Sequence, residues 1–125
     1  LLWRKLTGES TYDSLAILQR DFVLGRNQWG TTFIHNIGKI YPKHLHSQVA
    51  YFRGGYLPGG VAAGPIGAEK LNSFLINYES EDLFDDFQTT AAVYRDDRMD
   101  YVTNEPTITA NATAIFVFGC FSSGR

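Results

Sequence analysis

Residues 94–107 read Tyr94-Arg95-Asp96-Asp97-Arg98-Met99-Asp100-Tyr101-Val102-Thr103-Asn104-Glu105-Pro106-Thr107, and an apolar run from Ala110 to Phe121 follows almost at once. The stretch gathers four carboxylates, two tyrosines and two arginines ahead of a segment apolar enough to be buried. Acids and rings grouped in this way point to a polar site at the mouth of a core. In such a place mutual repulsion and loss of solvation raise a carboxyl pKa, so that the group delivers a proton near neutrality. Glu105, at the junction of loop and apolar element, is the acid best placed for this. The plainer alternative is a solvated loop ending in an acid near a helix N-terminus, where the dipole lowers a carboxyl pKa instead.

The element that follows, residues 107–121, carries two patterns. Thr107-Ile108-Thr109 and Ile115-Phe116-Val117-Phe118 are β-branched and aromatic, as in strands. Its length exceeds an ordinary strand, Pro106 suits a first helical position, and Ala110, Ala112 and Ala114 favour helix. The expectation is a helix, apolar nearly all round and therefore buried.

Towards the other end, Leu1 to Leu6 suits the tail of a helix stopped at Gly8. A second helix is expected over residues 11–24, with Ser10 as N-cap and Asp13 in the capping-box position. Tyr12, Leu15, Ala16, Phe22 and Val23 form one helical face, which Ile17, Leu18 and Leu24 widen enough to imply cover on both sides. Gly25 stands where helices commonly end. Residues 25–93 then lack a sustained period and are rich in glycine, with Pro42, Pro58 and Pro65. Brief strands are expected at Thr32–Ile34 and Val49–Phe52, and short helical turns at Glu69–Ile76 and Glu81–Phe87. A loop of this length with recurrent aromatics, Trp29 among them, suggests a functional surface.

The chain has 125 residues, 44% of them hydrophobic and 14% aromatic, which is enough for one small globular unit. Its net charge of −2 gives no electrostatic case for nucleic acid or an anionic membrane as partner. No apolar run approaches the roughly 20 residues of a membrane span. Cys120 is the only cysteine, read as a small buried hydrophobe. His35, His44 and His46 have neither Cys nor acid at ligand spacing, which argues against a zinc site, and no cofactor motif is present. The glycine-rich Gly59–Pro65 lacks the Lys and the strand–helix context of a phosphate loop. Asn111-Ala112-Thr113 is formally a glycosylation sequon, in a helix expected to be buried. The chain starts without Met, so the lack of a signal peptide carries little weight.

The 94–112 pattern resembles the carboxyl-terminal signature of glycoside hydrolase family 9, the inverting cellulases and their relatives. Tyr94, Asp96, Tyr101, Glu105, Thr107, Asn111 and Ala112 fill its positions. Three other stretches agree. Gly38 and His46 stand eight residues apart, as in the family's histidine signature, with Thr32, Ile34 and Leu45 in place. Residues 22–30 resemble the helix that leads into its substrate loop, and Gly59–Pro65 its Gly-Gly-Pro loop. His35, Ile40 and Gln48 depart; Gln48 stands where the family has Arg, with fewer donors and no charge.

The resemblance implies an all-α fold, a C-terminal fragment of an (α/α)6 barrel with a long irregular cleft-forming loop. Residues 1–125 would be the C-terminal portion of the catalytic domain, partnered by the rest of that domain. It implies hydrolysis of β-1,4-glucosidic bonds in cellulose or related β-glucans, Glu105 as general acid, Asp96 as the accompanying catalytic acid, and a secreted or periplasmic location. His46, Gln48, Tyr101 and Trp29 are the expected substrate contacts, without metal. The family's Asp pair, which supplies the base, has no counterpart here: Asp13 and Asp21 lie on the helix expected over residues 11–24, in the wrong context. The competing expectations are a carbohydrate-binding fragment that breaks no bond, and an exo-acting glucosidase or glucosaminidase.

Overall fold

The computed structural model describes residues 1–123, and its regular structure is helical. Three helices lie at the ends of the chain: α1 (Leu2–Thr7), α2 (Asp13–Val23) and, last, α5 (Ile108–Ser122). Between them run two single-turn helices, α3 (Gln48–Phe52) and α4 (Ala68–Asn72), and a 3-10 turn at Asp85–Phe87. Extended pairing among the described residues is limited to isolated antiparallel bridges, Ile34 with Val61 and Ile66 with Val93.

The helix ends follow local chemistry. Gly8 takes φ 79° and its N–H bonds to the Arg4 carbonyl at 2.9 Å, closing α1. α2 begins at Asp13 rather than at a Ser10 cap. Tyr12 is the cap residue without a side-chain bond, and the Asp13 carboxylate pairs with Arg4. Asn27 finishes α2, donating to the carbonyls of Phe22 (2.8 Å) and Thr31 (2.7 Å) and accepting from the Trp29 amide at 3.1 Å. For α5 the cap is Thr107, whose hydroxyl accepts from the Ala110 amide at 3.1 Å, so Pro106 stands before the cap and not inside the helix. Residues 49–52, expected as a strand, are helical because the Ser47 hydroxyl caps α3 and accepts from the Ala50 amide.

The core sits in the irregular middle. Trp29, Phe33, Leu45, Ala50, Ala62 and Tyr94 are buried together, with Phe22, Val23, Leu57, Phe84 and Ala92 packed around them. Phe33 meets Tyr94 edge-on with ring centroids 4.9 Å apart, and Trp29 packs on Phe33 at 6.0 Å and on Tyr94 at 6.1 Å. Gln88 closes this cluster: its Oε1 accepts from the Trp29 indole (2.9 Å) and the Tyr94 amide (3.1 Å), and its Nε2 donates to the Tyr94 carbonyl (2.7 Å). Gly60 is closely approached: a Cβ there would lie 3.1 Å from Leu45 Cδ1 and from Leu57 Cδ2, so those side chains would have to give way.

Of the terminal helices only the last turn of α2, through the partly buried Phe22 and Val23, touches this core. No described residue of α1, α2 or α5 is buried, against the expectation of a covered α2 and an interior α5. Ile108 is 89% and Ile115 75% exposed. Cys120, read as buried, is half-buried. The pattern was apolar enough for burial, but burial needs a facing layer, and the described residues supply none. Arg4 and Asp13 pair α1 with α2, and what joins α5 to them is slight: the Lys5 ammonium over the Phe116 ring at 5.8 Å and the Arg20 guanidinium over Phe121 at 4.6 Å. A hollow of about 830 Å³ lies between them. No described helix is long and apolar enough to cross a membrane.

Candidate active site

The site is built by the turn at residues 97–104, and the turn is built by its own carboxylates. Asp97 accepts from the Met99 amide (2.8 Å), the Glu79 amide (3.0 Å), and the Ser80 amide (2.9 Å) and hydroxyl (2.7 Å). Asp100 accepts from the amides of Val102 (2.9 Å) and Thr103 (2.8 Å) and from the Thr103 hydroxyl (2.7 Å). Both are fully buried. Burial alone would push the Asp97 carboxyl up, but the Ser80 hydroxyl and the Met99, Ser80 and Glu79 amides together hold it below the usual carboxylate range. The expected crowd of bare carboxylates is therefore absent. These acids carry their own donors and serve as fasteners.

Asn104 locks the turn to the histidine loop. Tyr94, fully buried, has its hydroxyl pKa pushed well above the ordinary value, by burial first and then by Asp96 and Asp100. It therefore stays a proton donor, and it donates to Asn104 Oδ1 at 2.7 Å. That fixes the amide: Oδ1 accepts, and Nδ2 faces the carbonyls of His44 (2.8 Å) and Asp97 (3.3 Å) and the Asp96 carboxylate (3.2 Å). The Asn104 carbonyl in turn accepts from the His46 amide at 3.0 Å. Asp96 completes the clamp by accepting from the Lys43 and His44 amides, each at 2.8 Å.

Glu105 leaves this rigid turn with an exposed side chain, next in sequence to the residue that grips His46. The His46 ring is half-buried, and its Nδ1 lies 2.6 Å from the Arg98 carbonyl. A carbonyl only accepts, so Nδ1 carries the proton and Nε2 is the nitrogen left for a ligand. Tyr101, 45% exposed, is held between His46 and Phe74, with ring centroids 6.0 Å from each. Gln48 opens α3 two residues after His46, exposed and without a side-chain hydrogen bond among the described residues.

The structure thus gathers Glu105, Asp96, His46 and Tyr101 around one turn, with Gln48 beside it. Trp29 is not with them. It is 4% exposed, and its ring is enclosed by Phe22, Phe33 and Tyr94, so it is a core residue with no face for a sugar. The three histidines do not converge: His35 is buried with Nδ1 2.7 Å from the Pro42 carbonyl, His46 faces Arg98, and His44 is exposed. No metal-binding group of His, Cys, Asp and Glu occurs among the described residues. Neither hollow between the long helices is lined by Glu105, Asp96, His46 or Tyr101.

Residues that sequence reasoning passed over hold the site together. Asp97 and Asp100 had a local sign, since an Asp followed two or three residues later by free amides makes an Asx turn. Asn104 had none, because its decisive partner, the His44 carbonyl, is 60 residues away. Asn111 also has a structural task. Its Oδ1 accepts from the Val61 amide at 3.1 Å and its Nδ2 donates to the Thr107 carbonyl at 2.8 Å, tying α5 to the glycine-rich loop.

Comparison with known proteins gives one assignment. No curated protein and no solved structure matches the chain. The model of glycosyl hydrolase family 9 matches residues 1–118. The all-α architecture agrees with a fragment of that family's (α/α)6 barrel. With nearly its whole length matched, the chain belongs to glycosyl hydrolase family 9.

Proposed function

We propose that this chain contributes the acid half of an inverting glycosidase centre that cleaves β-1,4-glucosidic bonds in cellulose or a related β-glucan. The observation that supports this most is the pairing of an exposed Glu105 with a turn whose other acids are all occupied. Of the carboxylates in that cluster, Glu105 is the one free to reach a leaving oxygen. Glu105 protonates the glycosidic oxygen as the bond to the anomeric carbon breaks. A second carboxylate, about 6.5–9.5 Å away across the sugar, activates the attacking water. That base comes from outside residues 1–125. Asp96 acts through position, holding the 43–46 loop so that His46 Nε2 meets a sugar hydroxyl, and Tyr101 offers a ring face for stacking. Gln48 contributes a neutral amide where the family has Arg. A polymeric substrate does not cross membranes, so the reaction belongs outside the cytoplasm, in a secreted or periplasmic setting.

The test is Glu105→Gln in the full-length protein. Turnover of cello-oligosaccharides is expected to fall by about 10²–10⁴. A glucosyl fluoride of the same chain length, whose leaving group needs no proton, is expected to retain most of its rate. A variant within a few-fold of wild type on the oligosaccharides, or one equally crippled on both substrates, removes Glu105 from the acid role. Residues 1–125 alone are expected to release no reducing sugar. Gln48 also motivates a substrate comparison: faster cleavage of amino-sugar oligomers than of cello-oligosaccharides would move the reading to an exo-acting glucosaminidase.

A further inference from the structure

One face of α3 carries, beyond Gln48, two rings that have no part in the site described so far. Gln48, Tyr51 and Phe52 are three and four residues apart and share that face, while Ala50 is buried on the opposite one. Tyr51 is 57% and Phe52 81% exposed, with ring centroids 5.5 Å apart at 67°. The Arg98 guanidinium lies 4.4 Å over the Tyr51 ring. It is fixed there by Glu79, whose two carboxylate oxygens accept from Arg98 Nη2 at 2.7 and 2.8 Å. Arg98 is also the residue whose carbonyl holds His46. The platform is therefore continuous with the candidate active site through a single residue.

Resting on the function proposed above, we infer that Tyr51, Phe52 and Arg98 form a further subsite that binds the next pyranose of the β-glucan chain beyond the one at His46. The C–H faces of a glucose ring suit an exposed aromatic pair. Guanidinium N–H groups and carboxylate oxygens held side by side match vicinal hydroxyls as donors and acceptors. The Glu79 pair pre-orders Arg98, which lowers the ordering cost of binding. Arg98 also supplies, over Tyr51, a cation that position 48 lacks. The same ion pair argues against an apolar protein segment as occupant. A covering helix would desolvate Arg98 and Glu79 without replacing their water, whereas sugar hydroxyls replace it.

The experiment uses the full-length protein carrying Glu105→Gln, titrated calorimetrically with cello-oligosaccharides of two to five sugars. Affinity is expected to rise with length. Adding Tyr51→Ser removes the gain from one sugar, about tenfold, and leaves the shortest ligands unaffected. Tyr51→Trp keeps that gain. An equal loss at every length, or no loss at any, overturns the subsite. So does a lowered melting temperature with unchanged binding, which would show the ring packed against protein. If the wild type hydrolyses β-glucan and only the length effect fails, the subsite alone is wrong. If no oligosaccharide binds or is cleaved, both readings fall.

Discussion

Outside its short helical turns, residues 25–104 hold their backbone by scattered bonds: a bridge here, an Asx turn there, a glutamine side chain across a gap. In α1, α2 and α5 the helical ladder satisfies the backbone automatically. Yet the core lies in the first region, and the second has no buried residue. Regular hydrogen bonding and burial are thus separate contributions, and this chain divides them between its regions. The irregular segment is held by apolar packing plus charged acceptors. The helices bring a pattern that waits for a facing layer.

The largest test of that contrast is in the irregular core. Trp29→Ala removes a ring that contacts Phe22, Phe33 and Tyr94 and breaks the bond to Gln88. It is expected to cost about 3–5 kcal/mol in urea unfolding of the chain. A loss under about 1 kcal/mol would mean that the core is not the source of stability.

Asp97 gives the middle effect, and pH gives its sign. Its folded pKa lies below the unfolded value of about 3.9, so its contribution is present above that value and is lost as pH falls through the folded one. Melting temperature should fall on acidification below about pH 4. Asp97→Asn should cost about 1.5–3 kcal/mol at neutral pH and flatten the acid slope. An unchanged slope in the variant would assign the acid sensitivity to another carboxylate.

The smallest effect belongs to the helical region. Ile115→Ser, at a position 75% exposed, is expected to change the stability of residues 1–125 by no more than about 0.5 kcal/mol. In the full-length protein the same change is expected to destabilise by about 2 kcal/mol or more, because the facing helices then cover it. Equal and small effects in both would show that this face stays bare.

The same division sets what the sequence disclosed. Local rules located α1, α2 and α5, because periodicity, Gly8 and the residues after Val23 act within a few positions. The spacing from Tyr94 to Ala112 also singled out the turn that carries the candidate site, since that pattern is contiguous. Burial was misjudged in both directions. Trp29 went to the core because its partners Phe33, Gln88 and Tyr94 fold back onto it from a distance, and α5 stayed exposed because its partners are not among the described residues. The Val49–Phe52 alternation lost to one capping hydroxyl at Ser47. Asn104 was invisible because its importance comes from His44 and Tyr94 meeting it in three dimensions.

Asn111 bears on how the protein is made. Its amide is engaged on both atoms, to Val61 and to Thr107, within an Asn-Ala-Thr triplet. An oligosaccharyltransferase meets that triplet while the nascent chain is still extended. Expression in yeast or insect cells therefore sets attachment against closure: a glycan on Nδ2 crowds the bond to the Thr107 carbonyl, while Oδ1 keeps its lone pairs for the Val61 amide. A bacterial cytoplasm avoids that competition and yields a single species.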